Sequence, residues 1–202
     1  MDTIASVLSV LLALAPYRVG AAQTYQPDPS VADYEERLTS VAADMVQVVS
    51  DADPLPGMTR DETLRLMIAT ANDESGLHWE VDYGVGPGRG DGGRSWCLMQ
   101  IHAGKGRVAS NDPEIHSWTG ADLVADRTKC LRAGLDAMRR SILMCRGAGL
   151  ERADYLSAYI AGRCIPNAPR ARARWAVSRS KLLRGVRIEP VEHFDPKEEA
   201  TL

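Results

Sequence analysis

Glu74 is the side chain in this sequence best placed for acid–base chemistry. It precedes Ser75-Gly76, where an amphipathic stretch beginning at Thr59 meets a glycine able to stop a helix. Cleaving a glycosidic bond requires a carboxylic acid that holds its proton near neutral pH and delivers it to the departing oxygen. Apolar cover and the negative end of a helix dipole both favour such an acid. Glu74 has the helix end by position, and Trp79, Tyr83 and Trp96 follow it as candidates for the cover. A second carboxyl, Asp91, lies in Gly90-Asp91-Gly92-Gly93, where Asp-Gly is a common turn pair. His78, Cys97 and His102 are not spaced as metal ligands on one element, so neither a metal nor a cofactor is expected.

These residues need elements to hold them. Val31, Tyr34, Leu38, Val41, Met45 and Val48 recur at helical spacing, which predicts an amphipathic helix. A second helix starts at Thr59, where Thr59 and Glu62 form a capping-box signature, and carries Leu64, Ile68 and Ala71 up to Glu74 in its last turn. From Val81 to Arg94 glycines dominate, predicting a loop or short β-hairpin, with Gly86-Pro87-Gly88 as turn chemistry. Helical spacing returns near Thr119 and Asp122 and runs through Leu131, Leu135, Met138, Ile142 and Cys145, with further helices expected over Glu151–Ala161 and Pro169–Leu183. The expected fold is mainly α (α+β), a helical domain over residues 30–187 with a small glycine-rich β-hairpin beside the active-site cleft. Residues 188–202 read as a flexible acidic tail. The arginine-rich run from Arg170 through Arg174 to Arg187 reads as a solvated helix face, or as a surface for an anionic wall polymer.

A chain of 202 residues, 45% of them hydrophobic, suffices for one domain with a substantial core. The formal net charge of −3 lacks the basic footprint of a nucleic-acid binder. Residues 1–22 resemble a signal peptide, with an apolar run from Ile4 to Ala15 ahead of Val19-Gly20-Ala21-Ala22, although no Lys or Arg precedes the run. The run is shorter than the roughly 20 apolar residues of an ordinary membrane span. Cys97, Cys130, Cys145 and Cys164 form an even set, expected to be disulfide-bonded in an exported protein. If one helix joins Cys130 to Cys145, its ends stand about 22 Å apart, beyond a bridge's reach. An antiparallel return helix would instead bring Cys164 to Cys130, leaving Cys97 and Cys145 paired or free.

Three motifs occur in order: Glu74-Ser75-Gly76, then Gly90-Asp91-Gly92-Gly93-Arg94-Ser95-Trp96-Cys97-Leu98-Met99-Gln100-Ile101, then Ala158-Tyr159-Ile160-Ala161-Gly162. Together, over residues 59–162, they resemble the lysozyme-like superfamily, most nearly the soluble lytic transglycosylases and goose-type lysozymes. Cys97 stands where that pattern has glycine, Ile160 where it has asparagine, and His102 where the goose-type pattern has an acid. The resemblance implies Glu74 as acid, Met99 and Gln100 lining the groove, and Tyr159 facing the acid across it. Asp91 matches a goose-type acid, and Ser75, Trp96 and His102 fall at groove positions, Trp96 offering a flat face for a sugar ring or serving in packing. The implied activity is cleavage of peptidoglycan glycan strands, as a lytic transglycosylase forming a 1,6-anhydro sugar. Hydrolysis with Asp91 as the second acid is the first alternative, and a non-catalytic wall-binding or phage structural protein the second. The implied location is the periplasm or extracellular space, or a phage particle.

Overall fold

The computed structural model describes residues 2–17, 30–85 and 90–188. The cleavage-site-like residues 19–22, the linker 23–29, the Gly86-Pro87-Gly88 turn and the acidic stretch after Ile188 lie outside the described residues.

Among the described residues the chain is mainly α with one two-stranded antiparallel hairpin. The central element is α3 (Arg60–Ser75), started by the Thr59/Glu62 capping box and ended by Gly76 in the left-handed region. Its burial extends beyond the expected Leu64, Ile68 and Ala71 stripe to Leu66, Met67, Ala69 and the hydroxyls of Thr63 and Thr70. A helix buried on most sides needs neighbours around it. They are α2 (Val31–Asp51) and α10 (Pro169–Ser178). α2 buries Tyr34, Leu38, Val41, Met45 and Val48, whereas Val31, at its first turn, is half exposed. An N-terminal helix, α1 (Thr3–Leu14), lays Val7, Val10 and Leu11 against α2, and the Tyr34 hydroxyl donates to the Ala15 carbonyl. Among the described residues no helix is long and apolar enough to cross a membrane.

After α3 the chain makes one short helical turn, α4 (Trp79–Asp82), and a second at α5 (Gly90–Gly93), where Asp91 and Gly92 are left-handed. The hairpin follows the glycine-rich stretch: β1 (Ser95–Trp96) pairs with β2 (Ile101–His102), and Cys97–Gln100 form the turn between them. The helical stretch expected from Thr119 onward divides. α6 (Pro113–Ser117) and α7 (Gly120–Ala125) precede α8 (Arg127–Gly147), and the carboxylate of Asp126 caps α8 through the N–H groups of Thr128 and Lys129. Where a helix over Glu151–Ala161 was expected, a 3-10 turn at Arg152–Asp154 precedes α9 (Ser157–Ala161), and α10 stops at Ser178 rather than Leu183.

This division corrects the expected disulfides. Cys97 is bonded to Cys130 and Cys145 to Cys164, with Cα separations of 6.1 and 5.3 Å. The segment after α8 is a chain of short turns packed near the helix's C-terminal end, so Cys164 never returns to Cys130 and instead meets Cys145. The Cys97–Cys130 bond fastens the hairpin turn to the first turn of α8. An ionic clamp reinforces the same end of the molecule: Arg127 of α8 donates to Asp82 of α4 and to Ser40 and Asp44 of α2.

Candidate active site

A cleft of about 640 Å³ runs between the end of α3, the hairpin, α8 and α9. Glu74 lines it from α3, Asp91 from α5, Gln100 and His102 from the hairpin, and Tyr159 from α9. Three segments that are remote in sequence thus meet at one concavity, in a volume typical of ligand sites.

Glu74 is held by a partner that the motifs did not reveal. The Arg174 guanidinium of α10 is 1% exposed, donates through Nη2 to Glu74 Oε1, and reaches Asp73 Oδ2 through Nε at 2.8 Å. Asp73 is shared with Arg170 at 2.9 Å. Among the described residues Oε2 of Glu74 has no hydrogen-bond partner, so one carboxyl oxygen is anchored and the other is open to the cleft. None of Trp79, Tyr83 and Trp96, the residues expected to cover Glu74, lines the cleft, whereas Ile101, Tyr159 and Ile160 do. Trp79 and Tyr83 pair with each other, their ring centroids 6.3 Å apart.

Tyr159 lies close to this ion pair, with the Arg174 guanidinium 5.4 Å from its ring centroid. Burial, and secondarily the Glu74 charge, push the Tyr159 phenol far above its ordinary range. The phenol therefore stays neutral, and it donates to the Met99 carbonyl at 2.5 Å. That bond ties α9 to the hairpin turn. Ser141 of α8 completes the frame, donating to Tyr155 O at 2.6 Å and accepting from Tyr159 N at 2.9 Å.

The hairpin turn is held from beneath. Met99 is fully buried against Gly134 of α8, where an added Cβ would come within 2.7 Å of its Cγ and Cε. Its backbone carbonyl serves the site while its side chain is core, which corrects the expected groove-lining role. Gln100 does line the cleft, in a left-handed conformation, with its carboxamide against the Cα of Gly90. Asp91 is exposed on the cleft and accepts from the Ser95 hydroxyl at 2.8 Å, so the turn and cleft readings of this residue coexist.

Ser75 and Trp96 stand away from the cleft. The Ser75 hydroxyl donates to Ala71 O and accepts from Leu77 N, closing the last turn of α3. Trp96 is wedged on Gly120, where an added Cβ would lie 2.1 Å from the indole. The cleft wall also contains Arg140, Met144 and Arg170, none of which the motifs pointed to. Among the described residues no group of three or more His, Cys, Asp and Glu could hold a metal ion.

The chain matches no family model, no curated protein and no solved structure.

The arrangement provides an anchored carboxyl with a free oxygen, a second carboxylate on the same cleft, and amide, imidazole and guanidinium groups along the walls. These groups give the cleft hydrogen-bond donors and acceptors and two carboxyls along its walls.

Proposed function

We propose that this protein cleaves the glycan strands of peptidoglycan, most readily as a lytic transglycosylase. The observation that carries the reading is the convergence of Glu74, Gln100 and Tyr159 on one open cleft, each from a different one of the three ordered motifs. In the proposed reaction Glu74 delivers a proton through Oε2 to the bridging oxygen between N-acetylmuramic acid and N-acetylglucosamine as the C1–O bond breaks. The resulting carboxylate takes the proton of the sugar's own 6-hydroxyl, whose oxygen bonds to C1 to close a 1,6-anhydro ring. Protons balance and no water is consumed. Arg174, bound to Oε1 throughout, fixes the carboxyl's orientation and stabilises its charged form between the two transfers.

A hydrolytic reading has one specific support: Asp91 lines the same cleft as Glu74 and could direct a water at C1. Two disulfides suit an oxidising compartment, which supports an exported protein acting on the cell wall.

Purified peptidoglycan incubated with the wild type and with Glu74→Gln separates these readings. Anhydro-ended fragments from the wild type alone support transglycosylation, and reducing-end fragments lost in Asp91→Asn support hydrolysis. Binding by both proteins with no release by either makes the protein a wall binder and defeats the enzymatic reading.

A further inference from the structure

A second concavity, about 510 Å³, lies between α3, α10 and the turn after α10. It shares no residue with the catalytic cleft. Arg65 comes from α3, Trp175 and Ser178 from α10, and Arg179 and Arg184 from the turn that follows; Glu62 is the one acid on its wall. That acid is already engaged, accepting from Thr59 N and lying 3.8 Å from Arg152.

Many arginines of the fold are ion-paired; those on this wall are not, a condition they share with Arg94, Arg107 and Arg139, which donate to backbone carbonyls. Arg127, Arg132, Arg140, Arg170, Arg172 and Arg174 each meet a carboxylate within 4 Å. Among the described residues Arg65, Arg179 and Arg184 meet none; the Arg184 Nε donates only to the Arg179 carbonyl. Three guanidinium groups from separate positions thus face one pocket against the single carboxylate of Glu62, leaving its wall net positive among the described residues, with donors kept for a ligand. Trp175 lines the pocket at 7% exposure, with the Arg152 guanidinium 5.2 Å from its ring centroid, and its indole N–H is buried with no acceptor among the described residues. A buried apolar wall lowers the local dielectric and strengthens the attraction of nearby cations for an anion.

The number and disposition of donors select the anion. A carboxylate offers two coplanar oxygens, which one guanidinium fork can satisfy, whereas a phosphoryl group presents oxygens in three dimensions to several forks at once. The volume exceeds that of an inorganic anion and leaves room for the sugar or polyol that carries it. We propose that this pocket is a second binding site, separate from the cleft, for a phosphoryl group borne on a sugar or polyol. Binding there would hold the protein to a phosphorylated polymer or metabolite independently of glycan cleavage.

The test is calorimetric titration of the full chain with inorganic phosphate, a hexose 6-phosphate, a glycerol phosphodiester and acetate at 0.15 M salt, with indole fluorescence as a second readout. Arg65→Gln and Arg179→Gln are compared with Arg146→Gln, which removes an exposed charge outside the pocket. The expected result is saturable one-to-one binding of a phosphoryl ligand, weakened at least about tenfold in each pocket variant. The Arg146→Gln protein should bind like the wild type, and all three should melt with it. Preference for the hexose monoester points to a phosphorylated metabolite, and preference for the diester to a polymer. Absence of saturable binding, equal binding of acetate, or equal weakening in Arg146→Gln would overturn the proposal. Because Glu74→Gln leaves this pocket intact, its phosphate binding should persist whatever becomes of glycan cleavage.

Discussion

Replacing Arg174 with Met should both destabilise the protein and disable the cleft. The guanidinium is 1% exposed and connects two acids, donating to Asp73 at 2.8 Å and to Glu74. Each charge-assisted hydrogen bond is worth roughly 1.5–3 kcal/mol, so about 3–6 kcal/mol of interaction disappears. Recovery is unequal. The Asp73 side chain is 34% exposed and keeps Arg170, whereas Glu74 is 15% exposed and has no second cation within bonding distance among the described residues. The expected net loss is therefore near the lower end, about 3 kcal/mol, which for a chain of this size corresponds to roughly 6–12 °C in Tm. Arg174→Lys should recover part of the stability but little activity, because an ammonium is a point charge that cannot bridge both carboxylates as the planar fork does. A carboxyl freed from its anchor loses its near-attack geometry, for which a loss of about 100-fold in glycan cleavage is expected. Urea unfolding followed by circular dichroism, beside turbidity clearing of cell-wall suspensions, measures both effects. An Arg174→Met protein within about 1 kcal/mol of the wild type and equally active would refute the positioning argument.

Other expectations follow from the same frame. Gly134→Ala gains up to about 1 kcal/mol of helix propensity but forces Met99 from a packed site, so a net loss of roughly 0–2 kcal/mol should accompany a larger loss of activity through Gln100; unchanged activity would separate Met99 from the cleft. Removing the Cys97–Cys130 bond, which closes 33 residues, should lower stability by about 3–4 kcal/mol on the chain-entropy model, and removing Cys145–Cys164 by slightly less; double-serine variants in thermal melts check the order. Asp154 is held down to about 2 from its ordinary 3.8 by the Arg172 guanidinium first, then by the N–H groups of Asn167 and Ala168, against the opposing effect of burial. A depressed carboxyl stabilises the fold above its unfolded value and loses that contribution as pH falls through its folded value. Asp154→Asn should therefore flatten the acid limb between about pH 4 and 2, and cost on the order of 1–2 kcal/mol at neutral pH once the partial exposure of Arg172 is allowed for.

Local signals in the sequence were read reliably where one short segment sufficed to settle them. Thr59, Glu62 and Gly76 mark the ends of α3 because caps act within a single turn, and they placed Glu74 at the helix end where it is found. Long-range pairing was legible only in part. The separation of Cys130 and Cys145 followed from helical rise, but the partner of Cys164 depended on whether the chain after α8 ran back as one helix, and Gly149 and Gly162, both left-handed, break that path. The hairpin was expected within the glycines, whereas its strands fall just after them, at Ser95–Trp96 and Ile101–His102, because Cys97 and Gln100 adopt the left-handed geometry that the turn needs. Arg174 was the largest omission. It sits in a run of arginines with no acid among them, which resembles a solvated face, yet Arg170 and Arg174 are one helical turn apart and face Asp73 and Glu74 on α3. Two adjacent acids at the end of a buried helix, lacking local cations, were the signal that could have found it.

The central claim, that Glu74 breaks the glycan strand without consuming water, is tested most directly by the masses of fragments released from purified peptidoglycan by the wild type and by Glu74→Gln. The account predicts anhydro-ended fragments, one water lighter than hydrolytic products, from the wild type and none from the variant. Reducing-end fragments, or the same yield from both proteins, would contradict it.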